Sequence, residues 1–270
     1  MQAQDEADKF LWLEEIDGKK QMSWVLEHNK KTVDYLSSVK GYDEIYKFAY
    51  EILTSDEQLV YPDIHGEHIY NFWQDGEHPR GLLRRTGFHN FIGKNPDWEP
   101  VLDIDSLSKT DTTDWTLASV YFAPRNSNKC IIGLSEGGSD AACLKEFDLE
   151  SKQFISDGFN VGEAKTDITW IDDDHVYISS DFGDGTLTTS GYARFVKRWE
   201  RGTRLEDAEV VFEASAEDVG ASSVVFHNQD DVHEFIVHFI DIFSFRLFYV
   251  TDTALIQLPL PSELDFNVFS

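Results

Sequence analysis

Residues 131–150, "IIGLSEGGSDAACLKEFDLE", admit two readings that belong to different architectures. Gly133, Ser135 and Gly137 spell G-x-S-x-G, the strand-to-helix elbow that lifts a nucleophilic serine out of an α/β sheet. An elbow needs a helix directly after the serine, because the helix N-terminus and adjacent amides stabilise the oxyanion. The other reading is a β-hairpin with Gly137 and Gly138 at its tip, where glycine tolerates the positive φ of a tight turn. Centred there, the hairpin pairs Ile132 with Cys143 and Cys130 with Lys145, and it makes Cys130 and Cys143 diagonal neighbours on one face. Ser135 is then expected in the approach to the turn, exposed and without a base.

The surrounding sequence favours the hairpin. After Asp56 the chain consists of short alternating apolar runs separated by Gly, Asp and Asn, which is a strand-and-turn pattern without the long crossover helices of a parallel sheet. Four similar units follow one another: "VYPDIHGEHIYNFWQ" to "LLRRT", "VYFAPRNSNKCIIGLS" to "EFDLE", "ITWIDDDHVYISS" to "FVKRW", and "VVFHNQDDVHEFIVHF" to "LFYVT". Their leading aromatics are Tyr61, Phe122, Trp170 and Phe226. The spacing sits around the roughly 50-residue unit of a four-stranded propeller blade. In this alignment "LKEFDLES" occupies the place of a blade strand, not of an elbow helix. The triad of such hydrolases runs Ser, Asp, His along the chain, but the downstream histidines His175, His227, His233 and His238 fall in a turn or in strand runs, and none lies in a loop following a strand of an α/β sheet.

Before Asp56 the texture is helical. Met22, Val25, Leu26, Val33, Leu36 and Val39 recur mostly at spacings of three and four, and Ile45, Phe48, Ala49, Ile52 and Leu53 repeat the rhythm, with breaks at Gly18 and Gly41. Two amphipathic helices are expected. The domain reading is an N-terminal helical segment over 1–55 followed by an incomplete β-propeller of about four blades over 56–270.

Composition narrows the functional classes. Fifty Asp and Glu against 23 Lys and Arg give a net charge of -27, which repels phosphate backbones and anionic membrane surfaces. Nucleic acid and membrane are therefore not expected as partners. The first 18 residues carry acidic groups where a signal peptide carries basic ones, so a cytoplasmic location is expected. Two cysteines with neither CxxC spacing nor clustered histidines suggest no disulfide framework, metal or cofactor. Other short matches read as solvated turns: "HGEH" (His65 to His68), "DFG" (Asp181 to Gly183) and the oxygen-rich "DIDSLSKTDTTD" (Asp103 to Asp114). Trp73 and Trp98 are aromatic candidates whose plain explanation is blade packing.

With these residues laid out, the chain resembles the N-terminal part of the prolyl oligopeptidase family of serine peptidases. "FLWLEEIDGKKQMSWVLEHNKKTVDYL" is similar to that family's entry segment, and "YPDIHGEHIYNFWQDGEHPRGLLRRT" with "NPDWEPVLDID" to its first blade. "FDLESKQFISDGF" and "SGYARFVKRWERGT" continue the likeness. The resemblance implies a seven-bladed-type propeller that gates a separate α/β-hydrolase domain, to which the N-terminal helices belong. It also implies cleavage of short peptides after proline, with the whole catalytic triad lying after the propeller. No catalytic, cofactor or metal residue carries over to this chain, which is expected to be a fragment, inactive alone, whose partner is the missing hydrolase domain. A non-catalytic interaction propeller and a hydrolase using Ser135 are the alternatives.

Overall fold

The computed structural model describes residues 8–15, 18–55, 57–93, 96–124, 128–228 and 231–261. The acidic opening residues 1–7, the texture change at Asp56 and the turn residues 125–127 lie outside the described residues. The chain divides into two compact units, Met1–Glu57 and Gln58–Ser270.

The first unit holds helices α1 (Lys19–Ser38) and α2 (Tyr42–Leu53). Gly18 precedes α1, and Gly41 turns the chain into α2 at φ 92°, a left-handed conformation that a side chain disfavours. Both helices are laced on their polar faces by ion pairs four residues apart, Lys31 with Glu27 and Lys30 with Asp34 on α1, and Lys47 with Glu51 on α2. Leu26, Val33, Ile45, Phe48 and Leu53 are exposed.

The described residues of the second unit form four antiparallel sheets in chain order. Blade 1 runs β1 (Asp63–His65), β2 (His68–Trp73), β3 (Leu82–Gly87) and β4 (Glu99–Asp103), interrupted by the short helix α3 (Phe88–Ile92). Helix α4 (Ile104–Asp111) leads to blade 2, which has β5 (Trp115–Phe122), β6 (Lys129–Glu136) and β7 (Ala142–Asp148). Its fourth strand is split into β8 (Gln153–Phe154) and β9 (Asn160–Ala164), both paired to β7. Blade 3 is β10 (Asp167–Trp170), β11 (His175–Ser179), β12 (Phe195–Glu200) and β13 (Glu209–Glu213). Blade 4 is β14 (Gly220–Asn228), β15 (Asp231–Phe239), β16 (Phe245–Val250) and β17 (Leu255–Gln257). The "HGEH" stretch is the β1–β2 turn, with His65 opposite His68.

The blades stack face to face, and side-chain alternation decides which core each residue enters. On β6, Ile131 packs with Phe159, Trp170, Val176 and Ile178 between blades 2 and 3, whereas Cys130, Ile132 and Leu134 pack with Tyr70 and Leu83 between blades 1 and 2. On β11, Tyr177 turns the other way to join Ile171, Val196 and Ile236 between blades 3 and 4. Each fully buried large apolar side chain contributes roughly 1.5–3 kcal/mol by transfer from water. Strands covered on both sides read as continuous apolar runs, which is why "CIIGL" also suits a strand of an α/β sheet.

Polar clamps then fix one blade on the next. The Trp170 indole donates to the Tyr121 carbonyl at 2.9 Å, and Arg85 donates to the Leu149 carbonyl at 3.0 Å. Glu146 on β7 is fully buried; its Oε2 accepts the Phe159 amide at 2.8 Å and Arg201 Nη1 of blade 3 at 2.7 Å. Arg201 is anchored in turn by the Asp173 carbonyl and Asp174. Across blades 3 and 4, Tyr177 donates its hydroxyl to Glu234.

Two expectations need correction. The β6–β7 hairpin keeps Gly137 and Gly138 in left-handed conformations at its tip, with φ 62° and 78°, but its loop runs through Ala141, so its centre moves by one position. Ile132 therefore faces Lys145, Cys130 faces Phe147 and Leu134 faces Cys143, so the two cysteines are not diagonal neighbours. The stretch from Asp103 is not a solvated turn: the Asp103 carboxylate caps α4 by accepting the Ser106 amide at 2.9 Å, and Ile104 and Ser108 are buried. Trp73 and Trp98 hold the Arg84 guanidinium between them, at 4.0 and 4.4 Å from the ring centres, and burial lowers the Arg84 pKa to about 10.

Replacing Arg201 by Met strands the Glu146 carboxylate in the core, a change that costs about 3–5 kcal/mol in comparable buried pairs. The expected outcome is a marked drop in the urea midpoint of Arg201→Met; a midpoint matching the parent would show that the pair carries no such weight.

Candidate functional site

Ser135 is the first candidate, and the structure removes it from solvent. It lies in β6, 2% exposed, opposite Thr116 of β5 and on the face that carries Ile131. The expectation of an exposed serine at the turn approach is therefore wrong, because β6 continues pairing with β5 as far as Glu136, beyond its last pair with β7. No helix follows it, and among the described residues no histidine bonds it. His175 bonds Asp172, His227 the Trp170 carbonyl, His233 the Tyr249 hydroxyl and His238 Asp218. Nearby Gly133 has a packing role: a Cβ there would meet Ser119 Oγ at 2.2 Å and Leu144 at 3.3 Å.

A cavity of about 540 Å³ lies where the first strands of blades 3 and 4 begin. β10 enters at Asp167, directly opposite Ser179 at the end of β11, so both side chains share the face that carries Thr169 and Tyr177 toward blade 4. Blade 4 brings β14 alongside, and Ser223 gives its amide to Asp167 and its carbonyl to the Thr169 hydroxyl at 3.2 Å. Burial pushes the Asp167 carboxyl pKa up, and the Ser223 amide only partly offsets this. The Ser179 hydroxyl is buried with no hydrogen-bond partner.

The rim carries a Lys165–Asp140 ion pair at 3.4 Å, with Lys165 also 5.6 Å from the Tyr192 ring centre. Ala193, Ala221 and Phe239 supply apolar wall. Gly220 lets β14 approach closely, since a Cβ there would sit 3.1 Å from the Ala193 carbonyl oxygen. Behind the wall, His238 and Asp218 bond at 2.8 Å, which holds the Asp218 carboxyl below its ordinary range together with the Ser215 amide. The cavity is lined by the half-buried Asp167 carboxyl and the buried Ser179 hydroxyl, with no nucleophile–base pair among the described residues.

Sequence reasoning singled out none of Asp167, Ser179 and Lys165. In "EAKTDITW" the charged residues look like an ordinary polar lead into a strand. The available signal was parity, because Asp167 and Thr169 share the face of a strand whose other face holds Ile168 and Trp170. Among the described residues, no group of three or more His, Cys, Asp or Glu is placed to hold a metal ion, and no helix is long and apolar enough to cross a membrane. Both cysteines are free thiols, and burial raises the Cys130 pKa.

Stacked four-stranded sheets around neighbouring first strands define a β-propeller. Residues 1–252 match the family model described as prolyl oligopeptidase, N-terminal beta-propeller domain, and the chain belongs to that family. It is 36% identical over 98% of its length to an uncharacterized peptidase of Sinorhizobium fredii, and 28% identical over 64% to a prolyl endopeptidase of Elizabethkingia meningoseptica. The structure of a post-proline cleaving enzyme from Rickettsia typhi superposes with a TM-score of 0.85 at 28% identity, over 93% of this chain. The chain spans 38% of the Sinorhizobium protein, 23% of the Elizabethkingia one and 38% of the Rickettsia one.

Position 135 tolerates loss of its hydroxyl if it only packs, whereas position 133 does not tolerate a methyl. Ser135→Ala is expected within about 1 kcal/mol of the parent, and Gly133→Ala about 1–3 kcal/mol less stable through overpacking. Thermal melts that rank the two in the opposite order would contradict the packing account.

Proposed function

We propose that this chain is the substrate-gating propeller portion of a prolyl oligopeptidase-like serine endopeptidase that cleaves short peptides after proline. The observation that carries the reading is coverage: 98% of this chain aligns at 36% identity with 38% of a peptidase, and residues 1–252 match the family's N-terminal propeller model. The chemistry, acyl transfer through a serine activated by histidine, then belongs to an α/β-hydrolase domain outside these residues. The propeller's part is to restrict access, so that short peptides reach the active site and folded proteins do not. This makes the 270-residue chain a fragment in function, with the hydrolase domain as its partner. A cytoplasmic location fits the small number of cysteines.

The burial of Ser135 supports inactivity of the chain alone. The purified chain is expected to leave a proline-ester reporter unhydrolysed and to escape labelling by a fluorophosphonate probe. Turnover that disappears in Ser135→Ala would overturn the proposal.

A further inference from the structure

Asp167 is a carboxyl without a cation. It is in no ion pair among the described residues, and its one polar neighbour of consequence is the Ser223 amide. Lys165, two residues before it, is engaged by Asp140 and Tyr192 at the rim. Across the ladder, Ser179 lines the same cavity, 2% exposed and with an unpartnered hydroxyl. Buried polar groups in folded proteins are nearly always satisfied, so acceptors left open together at one cavity mark a place where a ligand completes the bonding.

The chemistry of the open groups selects the ligand. A carboxyl and a neighbouring hydroxyl offer acceptors, and a primary ammonium is a pure donor with three N–H groups and no acceptor of its own. An anion would meet the carboxylate and the field of a chain of net charge -27, whereas a cation is drawn in by both. The walls from Ala193, Ala221 and Phe239 suit an aliphatic stem that leads to the polar floor. We propose that the cavity between blades 3 and 4 binds a lysine side chain, its ammonium on Asp167 and Ser179 and its methylenes along Ala193, Ala221 and Phe239.

Burial disfavours the charged carboxylate of the empty site, and the incoming ammonium restores it by supplying the missing countercharge. That the lysine belongs to a peptide on its way to cleavage rests on the peptidase reading above; binding itself does not.

The test titrates the unaltered 270-residue chain with Nα-acetyl-lysine methylamide and with the norleucine analogue, which keeps the stem and lacks the ammonium, followed by calorimetry or amide chemical shifts. Saturable binding of the lysine probe at least tenfold tighter than the norleucine probe is expected. Asp167→Asn is expected to weaken the lysine probe at least tenfold and to leave the norleucine probe unchanged. Equal affinity for the two probes, absence of saturable lysine binding, or lysine binding indifferent to Asp167→Asn would overturn the proposal. Should Asp167→Asn fail to fold, the comparison of the two probes on the parent chain decides alone. No step depends on hydrolysis, so this result and the reporter assay fail separately.

Discussion

A propeller blade has to bury both of its faces, and the rest of the second unit follows from that constraint. A sheet with one wet face can alternate apolar and polar residues, but β6 and β11 sit between neighbours and send successive side chains into different cores. Each interblade core is therefore made jointly by two blades, and β6 contributes to two of them. Blade 3 shows the same division, with Val176 and Ile178 on one side and Tyr177 on the other. On blade 4, Ile242, Phe243 and Ile256 are exposed.

Apolar burial does not by itself set the angle or register of one sheet on the next, and the polar clamps do. Glu146 and Arg201 act through direction: the carboxylate has to meet both the Phe159 amide and a guanidinium that is itself tied to the Asp173–Asp174 turn. The split fourth strand of blade 2 is part of this device. It leaves the loop between β8 and β9 free to bring Phe159 and Gly158 onto Glu146, and a Cβ at Gly158 would fall 2.4 Å from the carboxylate. Across blades 3 and 4 the Tyr177–Glu234 hydrogen bond does the same for the cavity, whose residues Asp167, Ser179 and Ala221 belong to three strands of those two blades.

Much of the architecture was legible because it rests on local preferences. Gly18 and Gly41 marked the helix starts, the paired glycines marked a hairpin tip, and the aromatic repeat marked the blades. The register of the β6–β7 hairpin was not legible, because a tip of two glycines does not reveal whether Ser139, Asp140 and Ala141 extend the loop or the strand. An error of two in the pairing preserves the pleat, so the faces were read correctly while the partners were not. Helix α4 was missed because Asp, Ser and Thr suit a turn as well as a capped helix start, and the burial of Ile104 tips the balance.

The sequence by itself determined the class of fold, the two N-terminal helices followed by blade units, and the family, since these depend on periodicity, glycine placement and residue spacing along one chain. Only the tertiary structure decided the fate of Ser135 and the existence of the pocket. Solvent exposure and unpaired hydrogen-bonding groups are set by what the next blade brings alongside. Ser135 lost its apparent role when blade 2 was packed on both faces, and Asp167 gained one when β14 arrived beside it without a cation.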